Sequence, residues 1–236
     1  MTKKLIWISL FAIAMGFLET AVVIYLRLIY YPGGFEFPLK PIEPAIAKVE
    51  FMREMATVIM LVATGIFCGI TKLQRFAYFV LAFAIWDLFY YIFLFITIQW
   101  PQSLFTWDIL FLVPIPWVGP VWAPCLLCLI MIIGSIYFIK KIEQDKNYQL
   151  KPYLWVILIV GALICILSFM LDYIYFSKHD VWNFANNDIL FDELTNYIPR
   201  QFNCRVFFCG FALMLSSIIW AIYNDFNLKS NNHEKK

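Results

Sequence analysis

Histidine is almost missing from this 236-residue chain: there is His179 in a polar stretch and His233 close to the C-terminal end. That removes the usual haem ligand and argues against a His-rich metal site. Charge is scarce too, at 14% of residues, against about 25% in soluble domains. The net charge is only +2, and no basic patch is built to meet nucleic acid. There is no phosphate-cradling glycine loop, dinucleotide fingerprint, zinc-protease helix, nucleophile elbow or calcium loop. No cofactor is implied and no catalytic residue is assigned.

The six cysteines, Cys68, Cys125, Cys128, Cys165, Cys204 and Cys209, sit mostly in apolar runs. There a thiol behaves as a small hydrophobe, and no secreted disulfide framework is implied. Cys125 and Cys128 form a C-x-x-C, with Cys204 as a more distant thiol. A thiol–disulfide exchanger would also need a polar activator beside the pair, and the flanking sequence offers none.

What fills the chain is apolar sequence: 63% hydrophobic, with a mean hydropathy of +0.76. A soluble fold of this length has too much surface for so few charges, so the expectation is an all-α, polytopic membrane bundle. A span needs about 20 mainly apolar residues, and six stretches qualify, at about 5–28, 54–72, 77–99, 119–139, 153–176 and 205–224. They form a single domain over 1–226, followed by a polar, disordered tail at 227–236. Lys3-Lys4 ahead of an apolar run resembles a signal peptide. The apolar character resumes after Glu19 and lasts to Tyr31, too long for a signal core, so a retained first helix is expected.

Lys and Arg cluster at one set of helix ends: Lys3, Lys4, Lys72, Arg75, Lys140 and Lys141 among them. The positive-inside rule then puts both termini in the cytoplasm, of a bacterial inner membrane. Three hairpins face outward, with connections at about 29–53, 100–118 and 177–204. The first is broken by four prolines between Pro32 and Pro44 and cannot be one helix. The second is rich in tryptophan and proline, including Trp107, Trp117, Pro114, Pro116 and Pro120. It reads as an interfacial segment, either an aromatic belt or a re-entrant wall. The third should hold an amphipathic piece from Asp188 to Tyr197. Glu19, Asp87 and Asp172, one per odd-numbered span, hint only faintly at a repeated two-helix unit.

Ionisable residues inside the membrane are costly and point to function by default. Asp87, near the middle of the third span, is the foremost of them, with Tyr90 and Tyr91 at i+3 and i+4. Glu19 and Arg27 share a face of the first span through Val23, so they can approach each other or share a partner. Glu50, Arg53, Glu54 and Thr57 fall on one helical stripe. That stripe is either a solvated helix end or a set of charges turned toward Glu19 and Asp87. Asp108 belongs to the aromatic second connection, while Asp172 reads as interfacial and Ser216 and Ser217 as packing residues.

These acids and arginines crowd the middle and outer halves of the spans. They predict an outward-opening pocket formed by Glu19, Arg27, Arg53, Glu54, Asp87, Tyr90, Tyr91 and Asp108. Such a pocket suits a small polar solute or a lipid headgroup, bound or carried. Two alternatives remain: an intramembrane enzyme on lipid or isoprenoid substrates with Glu19 or Asp87 as acid/base, and an assembly subunit locked by its charges. The bilayer is the one certain partner.

Overall fold

The computed structural model describes residues 2–111, 115–177 and 195–233. Six long helices dominate: α1 (Thr2–Tyr30), α2 (Pro44–Cys68), α3 (Lys72–Ile98), α4 (Trp122–Gln144), α5 (Pro152–Phe176) and α6 (Cys204–His233). Each contains a stretch long and apolar enough to cross a bilayer, so the chain is a multi-pass helical membrane protein. Large apolar side chains stand outward on these helices, such as Phe67 at 84% exposed and Trp7 at 71%, a surface that needs lipid around it.

The helix ends follow local chemistry. Pro44 and Pro152 open α2 and α5, where a missing N–H costs nothing. The Thr71 side chain accepts from the Gln74 N–H and caps α3, while Gln99, in the left-handed region at φ 55°, closes it. α2 begins ten residues before the expected span, because the helix-friendly run after Pro44 joins it directly. α6 reaches His233, into the segment from Asn227 expected as a tail. Residues 188–194 of the expected amphipathic piece lie outside the described residues.

The tryptophan- and proline-rich connection departs from a purely helical fold. β1 (Trp107–Phe111) and β2 (Trp117–Pro120) pair antiparallel, with Asp108 opposite Gly119. The expected fourth span from residue 119 therefore starts later, at Trp122, and Pro124 sits in its first turn, where proline is tolerated. The hairpin dips between the helices. Phe111 stacks on Phe83 at 6.4 Å between centroids, about one helical turn beyond Asp87. Strand backbone near lipid must be sheltered by protein, and Ile115, Val118 and Val121 are fully buried.

The helices group into two bodies. α3 packs on α1, α2 and α4, while α5 packs chiefly on α6. In the first body, Thr20 Oγ1 donates to Gly16 O at 2.8 Å and to Tyr90 O of α3 at 3.2 Å. In the second, the backbones nearly touch: a Cβ on Gly161 would sit 2.8 Å from Gly210 O, and one on Gly210 would sit 2.6 Å from Gly161 O. Small residues let membrane helices approach this closely. β2 pins the bodies together at one end, where Gly119 lies against the Phe169 ring. At the other end Asp225 of α6 takes a hydrogen bond from the Tyr137 hydroxyl and an ion pair from Lys141, both on α4.

Candidate functional site

At the end of the bundle where the long connections gather, a cavity of about 180 Å³ opens between α1, α2, α3 and β1. All eight residues of the expected pocket line it: Glu19 and Arg27 from α1, Arg53 and Glu54 from α2, Asp87, Tyr90 and Tyr91 from α3, and Asp108 from β1. Glu50 and Lys40 join them.

The pairing differs from what α1 alone suggests. About 12 Å of rise separates Glu19 from Arg27 along the helix, and neither bonds the other. Arg53 reaches in from α2 instead. Its Nη1 donates to Glu19 at 2.5 Å and its Nε to Glu50 at 2.7 Å. The α2 stripe is thus turned inward at Arg53 rather than being only a solvated helix end. Glu54 shares the cavity wall.

Arg27 turns toward the hairpin. Its Nη2 lies 3.6 Å from Asp108 Oδ1. Its guanidinium sits 3.7 Å from the Trp100 ring centroid and 4.6 Å from that of Phe35, a cation–π sandwich that holds a desolvated charge. Arg27 is 9% exposed and Asp108 3%. The hairpin lies outside the six spans, and there burial pushes the Asp108 carboxyl up to about 6, with the Arg27 charge pulling the other way. Arg27 Nη1, Asp108 Oδ2 and the Tyr91 hydroxyl are buried, and none meets a protein partner in good hydrogen-bond geometry. The Tyr91 hydroxyl is still near enough to the Asp108 carboxyl to offset part of the effect of burial.

Asp87 stands at the far side of this cavity, where Cys128 Sγ of α4 donates to its Oδ2 at 3.2 Å. Below it a second space begins. An apolar groove of about 550 Å³ runs between the two helix bodies, and Asp87 and Leu110 line both spaces. Its walls include Phe79, Phe83 and Val80 of α3, Met131 of α4, and Ala162 of α5.

The other residues singled out from the sequence lie elsewhere. Asp172 fastens the third connection: its carboxylate accepts from the Tyr197 hydroxyl at 2.7 Å and from the Arg200 and Gln201 N–H groups. Glu19, Asp87 and Asp172 thus have unlike partners. Ser217 donates to Leu154 O across α5–α6 at 2.8 Å, and Ser216 only to Leu213 O of its own helix. All six thiols are free. Sequence reasoning missed the Trp100–Phe35 sandwich, the Cys128–Asp87 bond and the groove. The Trp100 signal was there, one aromatic beyond the end of α3, but nothing local ties it to Arg27.

Among the described residues no three His, Cys, Asp or Glu side chains converge closely enough to hold a metal ion. The chain matches no protein-family model, and no curated protein and no solved structure matches it.

Proposed function

We propose that this is a binding or carrier protein of a bacterial inner membrane that takes a small polar solute or a lipid headgroup into the acid/arginine cavity. The supporting observation is that charges from four elements line one open cavity, and Arg27 Nη1 and Asp108 Oδ2 make no well-formed hydrogen bond to the protein there. Charges that only locked helices together would be satisfied by one another. Leaving a buried polar atom unpaired costs about 1–3 kcal/mol, which a ligand would recover. The basic helix ends favour a topology with both termini in the cytoplasm, in which the cavity opens to the outer side.

Thermal unfolding of the purified protein in detergent tests this reading, with glycerol, ethanolamine and glycerol phosphate as headgroup probes. A ligand that binds the native state raises the melting temperature with its concentration. At least one probe should do so, and Glu19→Gln with Asp87→Asn should abolish the effect. If no probe shifts the melt, or the shift survives both substitutions, the cavity is not a binding site.

A further inference from the structure

We infer that the polar cavity and the apolar groove form one site for an amphiphile with a hydroxyl-bearing head and a long hydrocarbon chain. This rests on the reading of the cavity as a binding site and goes further by naming the ligand's chemistry. The first ground is continuity. Asp87 and Leu110 line both spaces, so a head lodged beside Asp87 has its chain directed into the groove. The groove's volume, about 550 Å³, falls within the range of specific small-molecule sites, about 300–1,000 Å³. Its rim includes Phe76 of α3, 39% exposed, and Ile159 of α5, 52% exposed. Both lie within bilayer-spanning helices, so the groove opens sideways into lipid, where a chain enters without crossing water.

The second ground selects the head. Five carboxylates line the polar cavity against three cations, and Arg53 is already held by Glu19 and Glu50. That balance repels a phosphate head. The buried atoms without a well-formed hydrogen bond include a donor, Arg27 Nη1, and an acceptor, Asp108 Oδ2, which has the Tyr91 hydroxyl nearby but not in good geometry. A hydroxyl both donates and accepts, so one group answers both needs. An ammonium can answer only the acceptor.

Photo-crosslinking in nanodiscs tests the assignment, using probes that carry a diazirine in the same alkyl chain and differ in the head. The heads are a primary alcohol, a monoacylglycerol, an amine and a phosphate ester. The alcohol or the glycerol probe should label groove-wall residues such as Phe83, Met131 and Ala162, and whichever labels more strongly identifies the source of the hydroxyl. Asp108→Asn and Arg27→Met should each lower that labelling roughly tenfold, the loss expected for a hydrogen bond to a charged group. Ala162→Phe and Val80→Phe fill the groove from opposite walls, so one remains informative if the other fails to fold. Either should suppress the labelling while leaving the melting response to the headgroup probes intact. Equal labelling by the phosphate or amine probe overturns the choice of head. Labelling that is absent from the groove, or indifferent to both groove-filling substitutions, overturns the joined site even where headgroup probes bind.

Discussion

The polar cavity and the apolar groove share Asp87 and Leu110, yet they are held open by different forces. Around the cavity, position is fixed by charge. Arg53 ties α2 to α1 through Glu19, and Arg27 ties α1 to the hairpin through Asp108. Around the groove, position is fixed by shape. The α5–α6 pair is drawn tight by its facing glycines; it meets β2 through Gly119–Phe169, α4 through Gly134–Ile218 and the Asp225 contacts, and α3 through Phe76–Trp155. A space walled by ion pairs should respond to charge deletion and pH. A space walled by packed apolar surface should respond to volume and little else.

The sharpest break in that contrast comes from Arg53→Met. Removing one partner of a fully buried ion pair costs roughly 3–5 kcal/mol, and Arg53 and Glu19, being only partly buried, should come in at the low end of that range. Here two carboxylates, Glu19 and Glu50, lose their partner together. A large drop in melting temperature in detergent is expected, with recovery when Glu19→Gln and Glu50→Gln are added. A melt unmoved by Arg53→Met would mean that charge does not hold the cavity.

Next in size is a pH effect at Asp108. Its carboxyl is raised to about 6, so the folded state holds the proton more tightly than the unfolded chain. Stability from this group is therefore present in full below the unfolded carboxylate range and is lost as pH rises through about 6. A tenfold difference in proton affinity between the two states is worth about 1.4 kcal/mol, so the loss is a few kcal/mol. Melting curves taken from about pH 4, the ordinary carboxylate value, to about pH 7 should slope downward. Asp108→Asn should flatten this part of the slope; an unchanged slope in that variant assigns it to other groups.

These residues also show what a linear reading can reach. The spans were legible because a run of about 20 apolar residues has few other uses. Glu19 and Asp87 stood out because a charge within such a run is expensive, whereas Arg53 stood out only as part of a charged stripe at the mouth of the second span. Their partners were legible only as alternatives, since the stripe carrying Arg53 read equally as a solvated helix end. Helical spacing relates Glu19 to Arg27, which share a helix, but carries no information on Arg53, which arrives from α2. The prolines around Trp117 ruled out a long helix, yet nothing in them distinguished a belt from a paired hairpin. The groove was invisible for a plainer reason: Val80, Met131 and Ala162 are the same residue types whether they fill a core or line a void.

On the groove side the largest effect should come from Gly161→Leu. Its side chain would meet Gly210 O and the Met214 backbone N, each within 3 Å of the Cβ position. Overpacking costs typically about 1–3 kcal/mol. The α5–α6 pair would be pushed apart and the groove reshaped, while the Arg53 triad should stay intact. Stability should fall equally at pH values on either side of the Asp108 transition, in contrast to the charge variants. A loss that grows with pH would erase the distinction between the two walls.

The smallest effect sharpens the same point. Ser217 makes a buried hydrogen bond between α6 and α5, to Leu154 O at 2.8 Å. Such bonds in membrane bundles are worth about 0.6 kcal/mol on average, because a freed polar group finds another partner in the unfolded bundle. Ser217→Ala should therefore lower stability by well under the cost of Gly161→Leu. Ser216→Ala, one residue earlier, should lower it less still, since Ser216 bonds only within its own helix. If Ser217→Ala instead matched Gly161→Leu, the α5–α6 pair would be held by a polar bond much as the cavity is, and shape would not explain why the groove stays open beside it.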